Sequence, residues 1–136
     1  MTEKEFFDKL LLTYSEEVSE DLPGDGLGYY LEYFLDNYPE EKLELKITKK
    51  IAARIIHEFM INILKWPDLE WKEAGKLKDI YDCRVCAGAV AQVYERGIMT
   101  VEQPLVFGLN TVLSPEKAQA VIDSFIEKIK VGGSSN

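Results

Sequence analysis

Two segments of the chain, 66 residues apart, carry the same apolar residues at the same helical spacing. The identical pairs are Ala52/Ala118, Ile56/Ile122, Phe59/Phe125 and Ile63/Ile129. Steps of four, three and four residues place the members of each set on one face of an α-helix. In each copy a short helix, an irregular loop, an apolar residue and a hydroxyl residue precede this stripe in the same order. We interpret the pattern as an internal duplication, the alternative being a chance match between two amphipathic helices.

Helix signals cover most of the chain. Capping residues, glycine stops and apolar spacing predict helices over 2–20, 27–38, 48–65, 82–96 and 114–130. Thr48, Asp82 and Ser114 are the predicted starts of the last three, and residues 69–80 are predicted as a loop with one helical turn. Short extended pieces are expected at most at 43–47 or 105–107. The predicted fold class is therefore all-α, a small helical bundle of two helix-loop-helix units plus an N-terminal helix.

The length of 136 residues suits one domain with a shared core. We expect that domain to cover residues 1–130 and to consist of an N-terminal helix over 1–22, a first unit over 25–65 and a second unit over 79–130. Residues 131–136 end in glycine and serine and are predicted to form a frayed tail.

The charge balance limits the classes of partner. With 24 acidic and 16 basic residues the formal net charge is −8, which repels a phosphate backbone, so direct nucleic-acid binding is not expected. The longest apolar stretch, residues 51–64, is interrupted by Arg54, His57 and Glu58, so no membrane span is predicted. The N-terminal residues do not form an export signal, and we therefore expect a cytoplasmic protein.

A spaced set of residues over 79–126 points to a known family. The set is Asp79, Ala89-Val90, Gly97-Ile98-Met99, Phe107 and Leu113-Ser114-Pro115-Glu116. With these residues in this order and spacing, the segment resembles the S-layer homology domain family. A truncated copy over about 25–62 resembles the family more weakly. The resemblance implies a bundle of two-helix units, used in sets of three to hold exported bacterial proteins on a cell-wall polysaccharide.

The resemblance also implies where a glycan would bind. The resemblance implies that an arginine meets the anionic glycan, and this arginine corresponds to Lys49 in the first copy and to Pro115 in the second. Proline offers neither charge nor donor, and an acidic chain does not favour an anionic ligand. We therefore expect the scaffold to be kept while its partner differs. Since the family builds its bundle from three units, two units also suggest a homodimer.

Cys83 and Cys86 form the one motif with evident chemistry. Two cysteines do not make a disulfide framework, and we interpret them first as ordinary, partly buried thiols. A metal site is the second interpretation, although only His57 adds a nitrogen ligand to the two thiols. Redox chemistry is the third, because a helix N-terminus and Arg84 favour thiolates. No cofactor is expected.

The remaining residues do not suggest an active site. His57 lies beside the repeated apolar stripe and is interpreted as a boundary residue, with no nucleophile and orienting group arranged around it. We therefore predict a non-enzymatic binding module for a macromolecular partner, expected to be a protein. The alternatives are cell-wall polysaccharide binding and a metal- or redox-linked role for the cysteine pair. The candidate binding residues are Tyr29, Tyr30, Tyr33, Lys49 and Phe107.

Overall fold

The computed structural model describes residues 1–18 and 44–132, and within these ranges the fold is all-α, as predicted. The helices are α1 (Glu3–Glu17), α2 (Lys49–Phe59), α3 (Arg84–Glu95) and α4 (Pro115–Lys130). A single 3-10 turn, Ala74–Lys76, interrupts the loop predicted between α2 and α3. The described ranges contain isolated β-bridges but no strand. None of their helices is long and apolar enough to cross a membrane.

Local capping chemistry explains where the helices begin. Thr2 and Glu5 form a reciprocal capping box at the start of α1, and the Ser114 hydroxyl accepts a hydrogen bond from the Lys117 N–H at the start of α4. Thr48 is the N-cap residue of α2, but its side chain makes no capping hydrogen bond. The N-cap of α3 is Cys83, so the prediction that this helix starts at Asp82 was early by one residue.

The end of α2 is held by aromatic and cationic groups. A π-helical turn over Met60–Leu64 continues the helix, and Lys65 ends it in the left-handed region at φ 57°. The guanidinium of Arg96 lies 4.8 Å from the centre of the Trp66 ring and donates a 2.6 Å hydrogen bond to the Pro67 carbonyl. These contacts join the end of α2 to the end of α3.

The repeated apolar stripe forms the centre of the core. Seven of its eight side chains are buried, and Ile129 is partly buried against the same cluster. The rings of Phe59 and Phe125, which occupy the same position in the two stripes, meet edge to face at 5.8 Å, and Tyr14 of α1 packs 5.0 Å from Phe59. The prediction that these positions face the interior is therefore confirmed, while the duplication itself stays an interpretation.

The starts of α2 and α4 lie side by side through backbone hydrogen bonds. The Leu113 N–H donates to the Ile47 carbonyl at 3.0 Å, and the Lys49 N–H donates to the Thr111 carbonyl at 3.0 Å. An antiparallel bridge joins Thr48 and Val112 between them. This backbone pairing brings Lys49, in the first turn of α2, next to the first turns of α4.

Polar side chains of α3 fasten the loop that precedes it. The buried Gln92 amide donates to the Leu69 carbonyl at 2.9 Å and accepts from its N–H at 2.8 Å. A carboxylate oxygen of Glu95 accepts from the N–H groups of Glu73 and Ala74. Burial acts to raise the pKa of Glu95, but the backbone donors outweigh it and hold that pKa below its ordinary value.

Candidate functional site

A cleft of about 360 Å³ opens between the segment 98–102 and α4. Most of its lining is apolar. The apolar residues are Ile98, Met99, Val101, Leu113, Ala120 and Val121. The polar lining consists of Lys49, Thr100, Glu102 and Lys117. A mostly apolar concave surface with a few polar groups is typical of a ligand site.

Lys49 lies at the back of this cleft and is only 3% exposed. Its ammonium donates hydrogen bonds to the carbonyls of Thr100 and Phe107 and pairs with the Glu102 carboxylate at 3.3 Å. It also lies 4.2 Å from the centre of the Phe107 ring. Burial lowers the pKa of Lys49, and the neighbouring Glu102 carboxylate opposes this effect only in part.

The loop beneath Lys49 is shaped by Asp79. Its two carboxylate oxygens accept hydrogen bonds of 2.9 Å from the N–H groups of Phe107 and Gly108. Gly108 has φ +86°, and a Cβ atom there would lie 2.5 Å from the Cγ atom of Glu102, so only glycine lets Glu102 approach. Asp79 therefore positions the segment whose carbonyl and ring hold Lys49.

We expect Asp79→Asn to lower the free energy of unfolding at neutral pH by about 1–3 kcal/mol, because an amide oxygen replaces a charged carboxylate that accepts two hydrogen bonds. Burial acts to raise the pKa of Asp79, but the backbone donors of Phe107, Gly108 and Leu109 outweigh it and lower the pKa below 3.8. The stabilisation by the ionised carboxylate is therefore present above pH 3.8 and lost as the pH falls through the lowered pKa.

Urea unfolding of both proteins from neutral pH downwards measures this dependence. The advantage of the parent chain over Asp79→Asn should shrink below the ordinary pKa of aspartate. Asp123→Asn, on the exposed face of α4, is the matched control. A difference that stays constant down to the lowest pH at which both proteins fold would contradict the carboxylate explanation.

The structure brings two of the predicted binding residues together. Lys49 and Phe107 are in direct contact, and both are buried, with Phe107 fully so. Neither side chain is a surface contact, and the exposed polar groups beside them belong to Glu102 and Lys117. Tyr29, Tyr30 and Tyr33 lie outside the described residues.

Glu102 and Lys117 were missed by the sequence reasoning. Glu102 lies in an irregular stretch with no spacing relation to Lys49, so no local pattern identifies it. Lys117 directly follows the motif Leu113-Ser114-Pro115-Glu116 and could have been noticed as a cation in the first turn of the predicted helix. Both residues lie next to Lys49 only because the starts of α2 and α4 are side by side.

The two cysteines differ from our first interpretation. Cys83 and Cys86 are joined in a disulfide, so they are not ordinary thiols, and sulfurs in this state do not act as metal ligands. Residues 1–18 and 44–132 contain no group of three or more side chains suited to a metal ion. The Nε2 atom of His57 instead forms a hydrogen bond of 2.9 Å with Asp68.

The disulfide closes a very short loop. With a sequence separation of three, it constrains the unfolded chain weakly, by about 2 kcal/mol on the chain-entropy relation. It joins residues within a single turn, and so it does not fasten distant parts of the fold to one another.

Comparison of the chain with protein-family models, with curated proteins and with solved structures finds no match.

Proposed function

We propose that this chain is a non-enzymatic, cytoplasmic binding module on an S-layer-homology-like scaffold. We further propose that its partner is a basic protein that places an apolar side chain in the cleft beside Lys49. The observation that carries the proposal is the cleft itself, in which apolar side chains surround a small polar set. The contact of Asp79 with Phe107 and Gly108 supports the scaffold assignment, because two residues that carry the resemblance lie together in it.

Burial of apolar surface in the cleft favours a protein partner. Filling the cleft with an apolar side chain removes the partly exposed surfaces of Val101 and Val121 from water, at roughly 25 cal/mol per Å² of apolar area. Such an anchor in a pocket is the usual centre of a protein interface. The net charge of −8 adds long-range attraction for a basic partner.

Cell-wall polysaccharide is the second candidate, and one observation favours it. The cleft lies beside Lys49, where the resemblance would put the glycan. The ammonium of Lys49 is already held by two carbonyls and Glu102, so the exposed cation that would meet an anionic glycan is Lys117. Lys117 would then act in place of the arginine of the family.

The test uses a substitution in the mouth of the cleft. Ala120 is an exposed residue of α4 that lines the cleft, so Ala120→Arg fills the opening without changing the core. Gly88→Arg is the matched control, because Gly88 is exposed on α3, and a Cβ atom added there meets no atom within 4 Å. Proteins captured from the source cell are identified, and their affinities for both variants are measured.

We expect a basic captured protein to bind Ala120→Arg at least tenfold more weakly, about 1.4 kcal/mol, and to bind Gly88→Arg like the parent chain. The affinity should also fall as salt is added. Cosedimentation with purified cell-wall sacculi that Ala120→Arg abolishes would favour the glycan instead. An affinity that is the same for Ala120→Arg and the parent chain, or turnover on a substrate panel, would contradict the proposal.

A further inference from the structure

The Cys83–Cys86 disulfide is asymmetric in its surroundings. Cys86 is 1% exposed and belongs to the hydrophobic core, whereas Cys83 keeps part of its surface exposed. The side chains beside Cys83 are open to solvent, with Tyr81 64% and Val85 75% exposed. Cys83 is therefore the more accessible of the two residues to an incoming thiol.

The disulfide also lies at the positive end of a helix dipole. Cys83 is the N-cap of α3, and Cys86 is the third residue of that helix. The first backbone N–H groups of a helix lack intrahelical acceptors, and they stabilise negative charge on a nearby sulfur. The first turn of α3 carries no acidic residue, and Arg84 is its first residue. The helix N-terminus and Arg84 therefore favour a thiolate at the partly exposed Cys83, whereas burial in the apolar core disfavours one at Cys86.

Contacts other than the disulfide fasten the helix that carries it. The bond spans one turn, and α3 is fastened independently through Gln92 and Glu95 to the preceding loop. Cys86 packs among core residues that do not depend on the bond for their own contacts. We therefore expect the helix and its contacts to stay in place when the bond opens.

We propose that Cys83–Cys86 is a thiol-disulfide exchange site, with Cys83 as the sulfur that is attacked and Cys86 as the leaving sulfur. The co-reactant is a protein dithiol. This inference does not depend on the proposed binding function, since it concerns the N-terminus of α3, and the cysteines do not line the cleft.

The exchange takes place in two steps. A thiolate of the partner attacks Sγ of Cys83, the bond between the two sulfurs breaks, and its electron pair goes to Cys86 Sγ. In the mixed disulfide, Cys83 is bonded to the first sulfur of the partner dithiol. The second thiolate of the dithiol attacks that first sulfur and displaces Cys83 as a thiolate. The partner dithiol is oxidised to a disulfide, and Cys83 and Cys86 take up two electrons and the two protons of the partner thiols.

Single serine variants test the asymmetry. Cys86→Ser keeps only the Cys83 thiol, and Cys83→Ser keeps only the Cys86 thiol. Each is incubated with oxidised glutathione and quenched with acid, and the mixed disulfide is measured by intact mass, with circular dichroism as the folding control. We expect Cys86→Ser to react at least about tenfold faster than Cys83→Ser. Equal rates, or a faster reaction of Cys83→Ser, would overturn the assignment of the attacked sulfur.

The unsubstituted chain provides a second measurement that needs no variant. The protein is equilibrated in buffers with rising ratios of reduced to oxidised glutathione, alkylated and analysed by mass, while circular dichroism follows the helices. We expect full and reversible conversion between disulfide and dithiol with the helical signal unchanged. A disulfide that opens only when the chain unfolds, or thiols that stay reduced at every ratio, would overturn the proposal.

Discussion

Phe59→Ala is expected to lower the free energy of unfolding by about 3–5 kcal/mol, the largest effect of any single substitution considered for this chain. Phe59 is fully buried at the meeting point of three helices, with the Tyr14 ring of α1 at 5.0 Å and the Phe125 ring of α4 at 5.8 Å. The substitution removes both aromatic contacts and leaves a cavity that these rings cannot fill. Because small domains are stable by roughly 5–15 kcal/mol, the variant should be close to unfolding.

Urea unfolding followed by far-ultraviolet circular dichroism measures this loss. Leu12→Ala is the matched control, since Leu12 lies on α1 and is half exposed, and its loss should stay within about 0.5 kcal/mol. A loss below about 1 kcal/mol for Phe59→Ala would mean that the three helices do not meet at this ring.

Lys49→Met is expected to lower the free energy of unfolding by about 2–4 kcal/mol, although it replaces a charged side chain by an apolar one of similar length. The substitution leaves the carbonyls of Thr100 and Phe107 without their donor and Glu102 without its cation. The gain from burying an apolar side chain offsets only part of that loss. Thermal and urea unfolding both measure this decrease in stability.

Two further variants identify which lost partner matters. Lys50→Met, one residue along the same helix and only partly buried, should leave stability within about 0.5 kcal/mol of the parent. In the double variant Lys49→Met/Glu102→Gln, less than about 1 kcal/mol should be recovered, because the Glu102 side chain is partly open to water. Recovery of most of the loss would assign the effect to the carboxylate instead of the two carbonyls.

The helices could be predicted because their signals are local. The apolar stripe of α2 and α4, the capping box at Thr2 and the Ser114-Pro115 start all depend on residues within one or two turns. The start at Thr48 was predicted correctly although its side chain makes no capping hydrogen bond, whereas the start of α3 was placed one residue early because its N-cap is an uncommon residue, Cys83.

The candidate site could be predicted only in part. Lys49 and Phe107 were both named through the resemblance, Lys49 in the first copy and Phe107 in the second, and nothing in their spacing indicates that they touch. Their contact depends on backbone carbonyls, which every residue possesses and which therefore leave no mark in the sequence. The role of Asp79 was hidden for the same reason, since its partners are backbone N–H groups.

The sequence by itself determined that this chain forms amphipathic helices with a common buried stripe, because helical periodicity and capping are properties of neighbouring residues. Only the tertiary structure decided that α2 and α4 start side by side, that Lys49 is enclosed and that a cleft opens beside Lys117. It also decided that Cys83 is open to solvent while Cys86 is buried. These features depend on which surfaces of distant segments pack together, and that is set by the whole core, not by any one stretch of the chain.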